Sequence, residues 1–121
     1  MPFGRAFEDT FRFGIQSPVR KVGFLCERID QETFTGDILE RIKQKIETAS
    51  IVIGELTGNN ANVYLEIGYA WGKGRPTILV TKEIEEKPKF DAQGQRILYY
   101  DTITELSNKL TKELRNLKPK L

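Results

Sequence analysis

The chain contains no histidine. That absence removes the usual general base, the Ser-His and Cys-His nucleophile pairs, and the commonest zinc ligand. Any chemistry must run on carboxylates, tyrosine, lysine, arginine or a bound cation. A single cysteine, Cys26, excludes an internal disulfide and fits a reducing compartment. No stretch approaches the roughly 18 consecutive apolar residues of a membrane span. No secretory leader is visible either, so a cytoplasmic location away from membranes is expected. Charge of one sign is also lacking: 19 basic and 17 acidic side chains leave a net charge of +2. That balance gives no electrostatic reason to expect nucleic acid as a partner. No G-x-G-x-x-G joins a strand to a helix, so the dinucleotide fingerprint is missing. The carboxylates Asp30, Glu55 and Glu66 form no metal-ligand set recognisable by spacing, and no cofactor is expected.

What is present is one domain, residues 1–121, long enough to bury roughly two thirds of the surface of its unfolded chain. Phe3, Phe7 and Phe11 recur at four-residue spacing and predict a helix from about Arg5 to Gln16, ended by Ser17-Pro18. Val22 to Cys26 reads as a strand. Ile38, Leu39, Ile42 and Ile46 mark an amphipathic helix starting near Thr35 to Asp37. Ser50 to Gly54 is a short apolar strand, and a helix from about Asn62 to Lys73 is stopped by Gly74 and Pro76. Thr77 to Thr81 is a further strand. The charged segment Lys82 to Gln95 is long for an internal connection and reads as a mobile lid. The strand Ile97 to Tyr100 follows, and a capping box of Thr102 with Glu105 opens a last helix with a leucine-rich stripe.

Alternating helices and strands predict a doubly wound parallel sheet of about four strands with helices on both faces, a three-layer α/β/α arrangement of flavodoxin-like type. The chain starts almost directly in a helix, so the strand that would precede it is missing or truncated. In a flavodoxin-like order that strand is central, and its loss exposes two strand edges. Rearrangement or pairing with a second copy would repair them, so the expectation is either a homodimer or a chain that begins past its true first strand.

The most informative stretch is Ser50 to Thr81, which reads as buried strand, Asn-rich turn, helix and strand without interruption. Ligands in open α/β sheets bind outside the carboxyl ends of the strands. Thr57, Gly58, Asn59, Asn60 and Asn62 therefore stand where a substrate would lie, and Glu66 projects from the first turn of the helix. Asn side chains also suit turns and helix caps without any ligand.

Several blocks carry a resemblance: Met1-Pro2-Phe3-Gly4, Arg28-x-Asp30, Ala49-Ser50-Ile51-Val52-Ile53-Gly54-Glu55-Leu56-Thr57-Gly58, Asn59 through Ala70, Gly74-Arg75-Pro76, and Phe90-Asp91 before Arg96. With these, the chain resembles the nucleoside 2-deoxyribosyltransferase-like and TIR-like group of nucleotide-binding proteins. The resemblance implies a flavodoxin-like fold, a nucleoside or nucleotide as the bound small molecule, and NAD as a candidate substrate. It also implies that Glu66 is the carboxylate that attacks the anomeric carbon of the sugar. Such a reaction develops positive charge on the sugar, which a carboxylate stabilises or traps. Around it the resemblance implies contacts from Phe3, Gly4, Arg28, Asp30, Glu55, Asn59, Asn60, Asn62 and Tyr69. Asn60 stands where the transferases carry an Asp, and an amide cannot protonate a leaving base. Gly54-Glu55-Leu56 replaces the group's Ala-Asp-Leu, which keeps the carboxylate but moves it by one methylene. Two further functions remain open at this point, a nucleotide-sensing module without turnover and a TIR-like interaction domain.

Overall fold

The computed structural model describes residues 5–28, 36–58, 61–82 and 97–121. Three strands, β1 (Val52–Glu55), β2 (Thr77–Lys82) and β3 (Ile97–Tyr100), form one parallel sheet in the order β1-β2-β3. The register pairs Val52 with Thr77 and Leu79 with Ile97. The helices are α1 (Arg5–Asp9), α2 (Ser17–Val22), α3 (Gly36–Thr48), α4 (Ala61–Gly72) and α5 (Ile103–Leu117). A π-helical stretch, Thr10–Gln16, joins α1 to α2.

Both faces of the sheet are covered, as an all-parallel sheet requires. On one side Ile15, Val19, Ile78, Val80 and Leu98 pack with Leu106, Leu110 and Leu114 of α5. The four-residue recurrence of those leucines puts them on one stripe, and each contributes about 1.5–3 kcal/mol by leaving water. On the other side Val63 and Ile67 of α4 meet Leu56 and Leu79, while Ile42 and Ile46 of α3 pack with Ala70. The α/β class and its three layers are thus as expected, with three parallel strands among the described residues rather than about four.

Gly54 is what lets α4 lie so close to β1. A Cβ at that position would stand 2.3 Å from Ile67 Cδ1, well inside van der Waals contact.

Two readings at the amino-terminal end are corrected. Ser17-Pro18 does not end the first helix, which continues through α2 to Val22. A proline mid-helix lacks its N–H and crowds the carbonyl one turn back. Here the wider π turn precedes it, with Ser17 N–H donating to Arg12 O five residues earlier. Val22 to Cys26 is not a strand. Val22 closes α2, and Gly23 takes the left-handed conformation (φ 102°) that ends it. Phe24 N–H then donates to Val19 O at 3.1 Å and Gly23 N–H to Arg20 O at 3.0 Å, the paired bonds of a Schellman cap. Residues 24–28 carry no ladder partner among the described residues, and without one an apolar run has no strand to join.

At the other end the fit is close. Thr102 Oγ1 accepts from Glu105 N–H at 3.1 Å, and Glu105 Oε1 accepts from Asp101 N–H at 2.9 Å, so the capping box starts α5. The expected lid at 82–95 falls, apart from Lys82 in β2, outside the described residues.

Candidate functional site

A cavity of about 490 Å³ runs along the free side of β1. Glu55 and Glu66 both line it, one from the strand and one from α4, and Arg28 lines it from the segment after α2. Three of the residues singled out in the sequence therefore meet at one place.

Glu55 is almost wholly buried at 1% exposure. Its carboxylate is nevertheless well supplied with donors. Thr57 N–H donates to Oε1 at 2.6 Å, and Tyr100 O–H donates to Oε2. Burial pushes the Glu55 pKa above the usual carboxylate range, against the opposing pull of those hydrogen bonds. The bond to Tyr100 reaches from β1 past β2 to β3, so Glu55 also fastens the carboxyl ends of the strands together. Thr57 is the hinge of this arrangement, because its Oγ1 also accepts from Lys82 N–H at 2.9 Å. Gly58 follows with φ 82°, a turn conformation that suits glycine.

Glu66 differs in kind. Its Oε1 is buried and has no hydrogen-bond partner among the described residues. Loss of solvent raises its pKa to about 7. The expected place of Glu66 in the first turn of the helix is corrected: α4 begins at Ala61, its first turn contains no acidic residue, and Glu66 falls in its second turn. The macrodipole acts on the first turn, so it does not account for this carboxylate. A half-buried acid whose inner oxygen faces no donor is costly to keep, and a donor or a positive centre on a bound molecule would relieve that cost.

Arg28 is held in place rather than extended into solvent. Its guanidinium pairs with Glu8 at 2.6 Å and lies 4.8 Å from the centre of the Phe11 ring. The contact holds the Glu8 carboxyl below its usual range. Lys45 also lines the cavity and sits 3.6 Å from Glu27. The cavity wall thus carries the carboxylates Glu27, Glu55 and Glu66 together with the cations Arg28 and Lys45.

The other expected contacts distribute differently. Thr57, Gly58 and Asn62 lie outside the cavity wall. Tyr69 points away to α3, where its hydroxyl donates to Glu47 and its ring lies 5.6 Å from Lys73 Nζ and 5.9 Å from Lys43 Nζ. The Glu47 carboxylate pushes the Tyr69 hydroxyl up to about 12. Glu66 lines the cavity beside β1, whereas Tyr69 packs on the α3 side. Phe3, Gly4, Asp30, Asn59 and Asn60 lie outside the described residues.

Two features of the site escaped the sequence. Tyr100 as the partner of Glu55 needs the strand register, which periodicity does not supply. Cys26 packs against the core as expected of a small apolar residue, but it also lines the cavity, and burial raises its thiol pKa. Among the described residues no cluster of three or more metal-ligating side chains occurs, and no helix is long and apolar enough to cross a membrane. The sequence matches no protein-family model, and no curated protein is significantly similar to it.

Proposed function

We propose that this chain binds a nucleoside or nucleotide at the Glu55 and Glu66 end of the cavity, and that Glu66 attacks the anomeric carbon of the sugar to cleave its N-glycosidic bond. The observation that carries the reading is the buried, unpartnered Glu66 Oε1 in a cavity of about 490 Å³, a volume within the range of small-molecule sites. The ionised Glu66 would form a bond to the anomeric carbon as the carbon–nitrogen bond breaks and the base leaves with the electron pair. Water then hydrolyses the glycosyl ester. A cationic base such as the nicotinamide of NAD needs no proton to depart, which suits a chain carrying Asn60 where an acid would stand. In this reading Arg28, which lines the cavity, would meet a phosphate or a sugar hydroxyl, and Glu55 holds the adjoining turn.

A second reading is a sensing module that binds the same ligand without turnover. The raised Glu66 pKa favours it, because a carboxyl that keeps its proton near neutrality is a hydrogen-bond donor rather than a nucleophile. The two readings separate when the purified chain is incubated with NAD and a panel of ribo- and deoxyribonucleosides and released base is followed by liquid chromatography. Release abolished by Glu66→Gln, with ligand affinity held within about tenfold, establishes the N-glycosidase. Absence of release with a ligand-induced rise in melting temperature establishes the sensor. Neither release nor a shift removes both and leaves an interaction domain.

A further inference from the structure

A second concavity, of about 370 Å³, lies between α2 and α5. Lys21 lines it from α2, and Ser107, Asn108, Lys112, Arg115 and Asn116 line it from α5. Asn108, Lys112 and Asn116 follow at four-residue intervals and Arg115 is three residues from Lys112, so these four stand on one face of the helix. Every charged residue on this wall is a cation, in a chain whose basic and acidic side chains number 19 and 17. The two carboxylates of α5, Glu105 and Glu113, do not line it, and no residue lines both this groove and the cavity that holds Glu66.

Cations near a helix end have an ordinary use, since they answer the partial negative charge of its last carbonyls. Lys21 lies in the last turn of α2 and Arg115 in that of α5. Those ends, however, are already served. Lys118 Nζ donates to Val22 O at 2.7 Å, Gly23 and Phe24 N–H cap α2, and Lys118 N–H donates to Leu114 O. Lys112 stands before the last turn of α5, out of reach of this effect. On the same helix Lys109 pairs with Glu105 at 3.6 Å, whereas Lys21, Lys112 and Arg115 have no hydrogen bond or ion pair among the described residues. Three like charges on one wall repel one another, and an anion of several charges would relieve that repulsion.

We propose that the groove between α2 and α5 binds a linear oligophosphate, with Lys21, Lys112 and Arg115 neutralising its charge. The lining residues select this chemistry by what they offer. All of them are polar or charged, so the wall has neither the aromatic face on which a nucleobase would stack nor the apolar pocket that anchors a peptide side chain. Arg115 presents a planar fork that suits two phosphate oxygens, and the lysines act as point charges. The amides of Asn108 and Asn116 and the Ser107 hydroxyl supply neutral donors beside them. Asn108 and Asn116 are separated by about 12 Å of helix rise, so the ligand is a chain of phosphates rather than a single one. The chain is either free or the phosphate tail of a nucleotide, which the test separates. The inference does not rest on the nucleoside reading, because the two sites share no residue.

The test titrates the full ¹⁵N-labelled chain with tripolyphosphate and, separately, with sulfate at the same ionic strength. The expected result is saturable shifts of the Lys21 amide and of residues 107–116 with tripolyphosphate, and only weak, unsaturated ones with sulfate. The double variant Lys112→Gln, Arg115→Gln, in which both exposed side chains lose their charge, should bind about tenfold more weakly. Lys120→Gln, at the same end of the molecule but outside the groove, should leave binding unchanged. No saturable shift, shifts scattered over the surface, equal binding of sulfate, or a Lys120→Gln loss as large as that of the double variant would overturn the proposal. ATP that reproduces the tripolyphosphate shifts assigns the tail of a nucleotide, and ATP that leaves residues 107–116 unmoved while tripolyphosphate shifts them assigns the free chain. Release of base from nucleosides is followed on the same variants, and its presence or absence does not alter the outcome at the groove.

Discussion

Tyr100 donates its hydroxyl to the buried Glu55 carboxylate, joining the third strand to the first across the one between them. A charge-bearing group at 1% exposure depends on such donors.

Replacement of Tyr100 by Phe removes one donor and leaves the carboxylate in place. The expected cost is about 1–3 kcal/mol, the penalty for a buried acceptor left short. Because the Tyr100 bond also lowers the Glu55 pKa, the variant should hold that proton more tightly. Its loss of stability, measured by urea unfolding, should therefore be larger at pH 8 than at pH 5.

Gly54 sets the distance between β1 and α4. In Gly54→Ala the new Cβ meets Ile67 Cδ1 at 2.3 Å, and overpacking of this kind costs about 1–3 kcal/mol. Removing the offending methyl with Ile67→Val should restore part of the loss in the double variant, a non-additivity that urea unfolding reads directly. Additive losses would show that the cost of Gly54→Ala does not come from the Ile67 methyl.

The elements that the sequence made legible are those whose pattern is local. The leucine stripe of α5 and its Thr102 cap depend on spacing within one segment, and the strands at Thr77 and Ile97 are apolar runs between polar ones. Residues 17–28 were misread because their fate depends on neighbours. Pro18 is a stop signal unless a π turn precedes it, and Phe24 to Arg28 alternate like a strand but lack a ladder partner among the described residues. At the site, Glu55, Glu66 and Arg28 line one cavity, whereas Asn62 of the Asn-rich turn does not. Tyr69 does not either, because its hydroxyl and ring are taken up by Glu47 and Lys43 on α3 and by Lys73. The Glu55 to Tyr100 bond joins residues 45 apart through strand register, which no single segment encodes.

Glu66 should make the protein less stable as pH rises. Its folded pKa of about 7 lies above that of an exposed glutamate, so between those values the native state binds more protons than the unfolded chain. Stability then falls with increasing pH across that window and levels off above about 7. Allowing for solvent screening of a partly exposed group, the fall is about 2 kcal/mol. Glu66→Gln removes it, so the variant should be more stable than the parent at pH 8 and little different at pH 4.5. Equal stability at pH 8 would contradict the burial argument.

The same titration governs turnover. With the ionised carboxylate as nucleophile, the rate of base release should rise with pH through about 7 and then level off. A rate that falls over that range would place Glu66 as a proton donor.

The central claim is that Glu66 is a desolvated carboxylate waiting for a ligand. Its side-chain carbon can be followed by ¹³C resonance titration, in the free protein and in the presence of the nucleoside or NAD that gives the largest thermal shift. The account predicts a midpoint near 7 in the free protein and a displaced midpoint when the ligand is bound, with Glu66→Gln identifying the signal. A midpoint in the ordinary glutamate range that no ligand moves would contradict it.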